Sequence, residues 1–125
     1  MKLVLIAGAG SFLGGIFRYL LSGFIQGRTT SVFPYGTLAV NLIGCFIIGC
    51  LFSLAGKWQL NLEMRLLLIT GLLGGFTTFS AFSAETMYLI KTDHVWMAVA
   101  YIACSVLLGI GLTVIGAWIS KTITA

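Results

Sequence analysis

The sequence predicts an all-α integral membrane protein of four transmembrane helices, the third of them broken mid-membrane. Three observations carry this. Of 125 residues, 59% are hydrophobic and 8% charged, whereas a soluble domain has about a quarter of its residues charged. The mean hydropathy is +1.10, and the apolar residues fall into long stretches separated by short polar ones. One of those stretches holds a cluster of glycines and threonines near its middle. A spanning helix takes roughly 20 apolar residues, so residues 1–125 are expected to form a single four-helix domain with no room for an extramembrane one. A soluble enzyme, a nucleic-acid binder and a disordered chain are excluded.

The first span is expected from about Leu3 to Ile25. Its start resembles a signal peptide, but the apolar run before Ala7 and Ala9 is too short and more membrane follows, so it reads as an uncleaved helix. Leu3 to Gly14 also resembles a strand entering a dinucleotide-binding turn. Its spacing is GxGxxxG, and the first acidic residue, Glu63, comes far too late to bind a ribose. Gly10 and Gly14 suit close helix packing instead.

A polar loop at Gln26 to Ser31, closed by Pro34, leads to a second span from about Tyr35 to Ala55. The connection from Gly56 to Glu63 places Trp58 as an interface aromatic. The third span covers about Met64 to Ile90, and a short turn, Lys91 to His94, leads to the fourth, from about Val95 to Ile119. Cys45, Cys50 and Cys104 all lie inside apolar stretches, with no CxxC spacing and no clustered His, and read as small hydrophobes.

The seven basic residues stand singly, with no run to follow a phosphate backbone. Four of them (Lys2, Lys57, Arg65, Lys121) fall on the side of the termini and three (Arg18, Arg28, Lys91) on the other. So even a split does not fix one orientation. A chain that inserts both ways is expected to assemble as an antiparallel, dual-topology homodimer with self-complementary interfaces.

The third span carries the chemistry. Gly71, Gly74 and Gly75, followed by Thr77 and Thr78, permit a helix break around Gly74 to Thr78. Its freed carbonyls can coordinate a small cation, the more so when two breaks face each other in a dimer. Gly71 and Gly75 fit equally well a GxxxG packing face of an unbroken helix. Phe76, Phe79 and Phe82 recur every third residue beside Thr77, Ser80 and Ser83, an aromatic stripe next to a hydroxyl stripe. Glu85 follows inside an apolar run, and an intramembrane carboxylate is a functional candidate. Asn41 lies mid-span, Arg18 must reach an interface or a wet vestibule, and Tyr101 and Ser105 stand one turn apart. Amide and hydroxyl donors beside positive ring edges suit a small anion better than a cation.

Gly14 to Tyr19, Gly36 to Gly44 and Gly74 to Ser83 (GGFTTFSAFS) together resemble the Fluc (CrcB) fluoride channels of bacteria, in order and over essentially the whole chain. The resemblance implies passive fluoride export across the bacterial inner membrane through two pores in an antiparallel homodimer. It implies a structural sodium ion at the dimer centre, held by the backbone carbonyls of Gly74 and Thr77. It makes Phe79 and Phe82 the pore phenylalanines, Asn41, Tyr101 and Ser105 polar groups of the pathway, Glu85 its carboxylate and Arg18 the vestibule arginine; Ser80, a donor by its own hydroxyl, is expected on the same pathway. Ala81 departs from the family pattern, where a Thr is expected, and is predicted to slow conduction without disturbing the fold. A small dual-topology multidrug or guanidinium exporter needs an early embedded carboxylate, and the first two spans hold no Asp or Glu. A non-transporting membrane subunit would not explain Asn41, the break and Glu85 together. No nucleophile–base pair is present for an enzyme.

Overall fold

A computed structural model describes residues 1–57 and 60–123. Among the described residues the structure is helical throughout, with no strand. Four segments are long and apolar enough to cross a membrane: Lys2–Gln26, Tyr35–Phe52, Leu62–Lys91 and Val95–Ile123. They match the expected spans to within a few residues. Trp58 lies outside the described residues.

The helices are α1 (Lys2–Gln26), α2 (Tyr35–Lys57), α3 (62–76), α4 (Phe79–Lys91) and α5 (Val95–Ile123). Helix α3 opens with an Asn61 cap, whose side chain accepts from the Met64 N–H at 2.9 Å. It then runs as a π-helix over Leu66–Leu73 before a last turn, Gly74–Phe76. The π-helical stretch has no counterpart in the sequence reading.

The break does lie mid-span, but it falls on the threonines rather than the glycines. Thr77 (φ −80°, ψ 155°) and Thr78 (φ −149°, ψ 116°) are extended, while Gly74 stays right-handed helical (φ −63°, ψ −35°). The glycines serve packing instead. A Cβ on Gly75 would stand 2.8 Å from Ser11 Cα, and one on Gly71 2.9 Å from Gly10 Cα. Packing face and broken helix, posed as alternatives, therefore coexist. The break also cuts the phenylalanine stripe: Phe76 is buried in α3 and lines a separate apolar groove with Phe17 and Phe24, leaving Phe79 and Phe82 on α4.

Lipid gives apolar helices no reason to prefer each other over the bilayer, so close backbone approach at small residues decides the pairing. Helix α1 runs parallel to α3: Lys2 pairs with Glu63 at 2.7 Å, and a Cβ on Gly14 would come within 2.7 Å of Phe76 N. Helices α2 and α5 form the second parallel pair, through Gly49 against Thr113 and Gly116 against Cys50. Thr113 Oγ1 donates across it to the Cys45 carbonyl at 3.1 Å. Helix α4 leans on α2 and α5, where Leu89, Ala98 and Tyr101 form a fully buried cluster covered by Phe33, Leu38 and Phe82.

Candidate functional site

The site is organised by the break. Extended backbone in a membrane leaves amides and carbonyls that no helix satisfies. Asn41, reaching over from α2, meets Thr78 at both of its backbone groups. Its Oδ1 accepts from the Thr78 N–H at 2.8 Å and its Nδ2 donates to the Thr78 carbonyl at 3.1 Å. The amide side chain thus plays the part of a neighbouring strand. Thr78 then caps α4, its Oγ1 accepting from the Ala81 N–H at 3.2 Å. Gly44 allows this approach, since a Cβ there would collide with the Thr77 methyl group. That methyl cannot swing away freely, because Thr77 Oγ1 donates to the Leu73 carbonyl at 2.9 Å.

These side-chain bonds free two carbonyls. In a continuous helix the Gly74 carbonyl would accept from the Thr78 N–H and the Thr77 carbonyl from the Ala81 N–H. Both amides are diverted, one to Asn41 Oδ1 and the other to Thr78 Oγ1. The Gly74 and Thr77 carbonyls therefore lose these helical partners, and a carbonyl oxygen is the ligand type a small alkali cation takes. Among the described residues no group of His, Cys, Asp or Glu is placed to hold a metal, so carbonyl oxygens are the available donors.

Beside the break lies a groove of about 440 Å³. Asn41, Gly74, Thr77, Phe79, Phe82 and Ser105 all line it, together with Thr78 and Cys45. Phe79 and Phe82 stand with centroids 5.5 Å apart, their planes tilted at 41°. The Ser105 hydroxyl is covered yet has no hydrogen-bond partner, so a donor is held unspent on the groove wall. Phe79 keeps 78% of its surface uncovered by its own chain.

Tyr101, Glu85 and Thr37 form a second cluster, one turn further along α2 and α5. Glu85 Oε1 accepts from Thr37 Oγ1 at 2.6 Å and its Oε2 accepts from Tyr101 Oη at 2.7 Å. The carboxylate is thus bound by hydroxyls from two other helices rather than by Lys91 or any other cation. Tyr101 itself is fully buried, its ring 5.0 Å from Phe82. Tyr101 spends its proton on Glu85, whereas Ser105, one turn on, keeps its own unspent.

Two expected residues stand apart. Ser80 is exposed on α4, its Oγ 3.3 Å from Thr78 Oγ1, and does not line the groove. Arg18 continues the Gly10–Gly14 face of α1 by one turn, past Phe76. It is half-buried, makes no hydrogen bond or ion pair among the described residues, and lies outside the groove. Sequence reasoning overlooked Thr37 and Thr78. Thr37 had a readable signal, one helical turn before Asn41 on the same face; the role of Thr78 depends on a contact 37 residues away.

Comparison with known proteins finds a family for nearly the whole chain. Residues 5–117 match the family model described as CrcB-like protein, Camphor Resistance (CrcB). The chain is 42% identical over 121 residues to the fluoride-specific ion channel FluC of Phocaeicola vulgatus, covering 97% of this chain and 100% of that one. The protein of the same name from Oceanobacillus iheyensis is 45% identical over 117 residues (93% and 89% of the two chains). That from Leptospira interrogans is 39% identical over 121 residues (96% and 95%).

Proposed function

This chain belongs to the CrcB family, and from that membership we propose how its site works as a fluoride channel. The chain is a multi-pass membrane protein whose task is the passive movement of fluoride. The observation that carries the mechanism is the groove at the break, where an unspent hydroxyl, Ser105, shares the wall with two phenylalanine rings, Phe79 and Phe82. Fluoride is small and strongly hydrated, so a dry path must replace its water with donors. Hydroxyl and amide hydrogens do so directly, and ring edges add partial positive charge without trapping the ion. Among the residues that line the groove there is no carboxylate, so no fixed negative charge in it repels an anion.

The assembled form is an antiparallel, dual-topology homodimer in the bacterial inner membrane, with two pores. The uncovered Phe79 ring supports it, because a pore wall needs a second side. So does the near-even division of basic residues between the two membrane faces. In the dimer the Gly74 and Thr77 carbonyls of both protomers would hold a structural sodium ion, whose charge would offset theirs. Arg18 draws anions to the vestibule, and Glu85 with Tyr101 continues the polar path beyond the groove.

Reconstituted into liposomes, the protein is expected to release fluoride quickly, as read with a fluoride electrode, while chloride is retained. Vesicles that keep both ions, with the Ala81→Thr variant equally silent, would overturn this function. Proton-driven uptake of a guanidinium cation by such vesicles would favour the exporter class.

A further inference from the structure

Four aromatic rings run in contact from the α1–α2 loop to the groove. Phe79 meets Phe82 at 5.5 Å, Phe82 meets Tyr101 at 5.0 Å, and Tyr101 meets Phe33 edge to face at 5.6 Å and 73°. The inner three already belong to the pathway or its polar extension. Phe33 does not, and it stands on the loop at the end of the bundle.

Its position is fixed by three hydrogen bonds to its backbone. The Phe33 N–H donates to Ser31 Oγ at 3.1 Å, and its carbonyl accepts from the Tyr35 N–H at 2.9 Å and from Gln26 Nε2 at 3.1 Å. Gln26 spends its whole amide on this loop: Nε2 also donates to the Ser31 carbonyl, and Oε1 accepts from the Gly36 N–H, both at 3.1 Å. Pro34 then restricts Phe33 to extended backbone. Neighbouring Val32 is left exposed, so the bonding serves to place one ring. That ring lies on Leu89, Ala98 and Tyr101, directly over the helices that clasp Glu85.

An ion leaving the groove towards this end meets the Thr37–Glu85–Tyr101 cluster and then a closed layer, since Leu89 and Tyr101 are fully buried. We propose that Phe33, pinned by Gln26, is the stopper at the loop end of the pathway, and that its displacement from Tyr101 limits the rate of conduction. The proposal rests on the channel function above. Phe33 is here a positioning residue: it closes the route by holding Tyr101 over Glu85. A ring suits the task because it fills the layer yet can turn an edge to a passing anion.

The test compares fluoride efflux from liposomes holding the wild type, Phe33→Ala, Phe33→Leu, Gln26→Ala and the double variant Gln26→Ala/Phe33→Ala. Phe33→Ala is expected to raise the rate several-fold and Phe33→Leu less. Gln26→Ala should also raise it, and the double variant should run no faster than Phe33→Ala alone, because Gln26 acts only through the ring. Chloride must stay inside throughout, since a merely loosened structure would slow fluoride or leak both ions. A Phe33→Ala rate at or below the wild type overturns the proposal. Should Phe33→Ala fail to elute as the wild type does, unchanged rates in Phe33→Leu and Gln26→Ala overturn it equally. Wild-type vesicles that retain fluoride would overturn the channel function, and this proposal with it. Conducting wild-type vesicles with an unchanged Phe33→Ala rate would overturn the proposal alone.

Discussion

Asn41 and Thr78 are joined by two hydrogen bonds, at 2.8 and 3.1 Å, that use both ends of one side-chain amide and both backbone groups of one residue. Few substitutes can do this. Removing the partner of a buried polar group costs about 1–3 kcal/mol, and Asn41→Ala abandons two such groups at once. We predict loss of fluoride efflux by tenfold or more and faster hydrogen exchange at the Thr78 amide. Asn41→Asp keeps the acceptor but sets a carboxylate oxygen against the Thr78 carbonyl, so it should fare no better than Ala. Efflux within twofold of the wild type in both variants would count against the clasp.

How far the sequence discloses this arrangement depends on the range of the interaction. The spans were legible because hydropathy is a local property and the bilayer sets their length. So was the fact of a break, from Gly74, Gly75, Thr77 and Thr78 together. The break lies at the threonine end of the expected range, because glycine only permits unwinding, while the bonds that impose it come from Asn41 on another helix, 37 residues away. For the same reason Glu85 was marked as costly and its hydroxyl partners were not: Thr37 is 48 residues distant. The resemblance puts Arg18 on the pathway and the Ser80 hydroxyl puts that residue there, and a single chain leaves both off the groove wall.

The Glu85 cluster gives a second prediction. Tyr101→Phe keeps the ring that packs on Phe82 and Phe33 but removes the proton donated to Glu85 Oε2. A hydrogen bond to a charged group contributes about 1.5–3 kcal/mol, so the melting point in detergent should fall. Thr37→Val should act in the same direction through Oε1. Because both hydroxyls serve one carboxylate, their effects should not add. Strict additivity in the double variant would show that they act separately.

A third prediction separates packing glycines from free ones. A Cβ on Gly14 would sit 2.7 Å from Phe76 N and still closer to the Leu72 carbonyl, both backbone atoms that cannot yield. Gly14→Ala should force α1 off α3 and lower yield and melting point together. Gly8 and Gly15 lie on the same helix with open space where a Cβ would go. Their replacement by Ala should be neutral or slightly stabilising, since Ala is favoured over Gly in a helix by about 1 kcal/mol. Equal damage at all three positions would mean that α1 packs on something other than α3.

The last prediction concerns Ala81, which stands in the first turn of α4 between Phe79 and Phe82. Its structural duty is discharged by the backbone, the N–H bonded to Thr78 Oγ1 at 3.2 Å. The side chain is free to change without loosening the cap, so Ala81→Thr should leave stability within about 0.5 kcal/mol. What it adds is a hydroxyl between the two phenylalanines, close to the groove on which Ser105 offers an unspent donor. A moving anion sheds water more easily where donors follow one another closely, so the Thr variant is expected to pass fluoride faster. Stopped-flow or electrode traces of the two proteins at equal protein-to-lipid ratio decide it. Identical rates would show that the ion does not depend on position 81, and that the ring edges with Ser105 suffice for this part of its path.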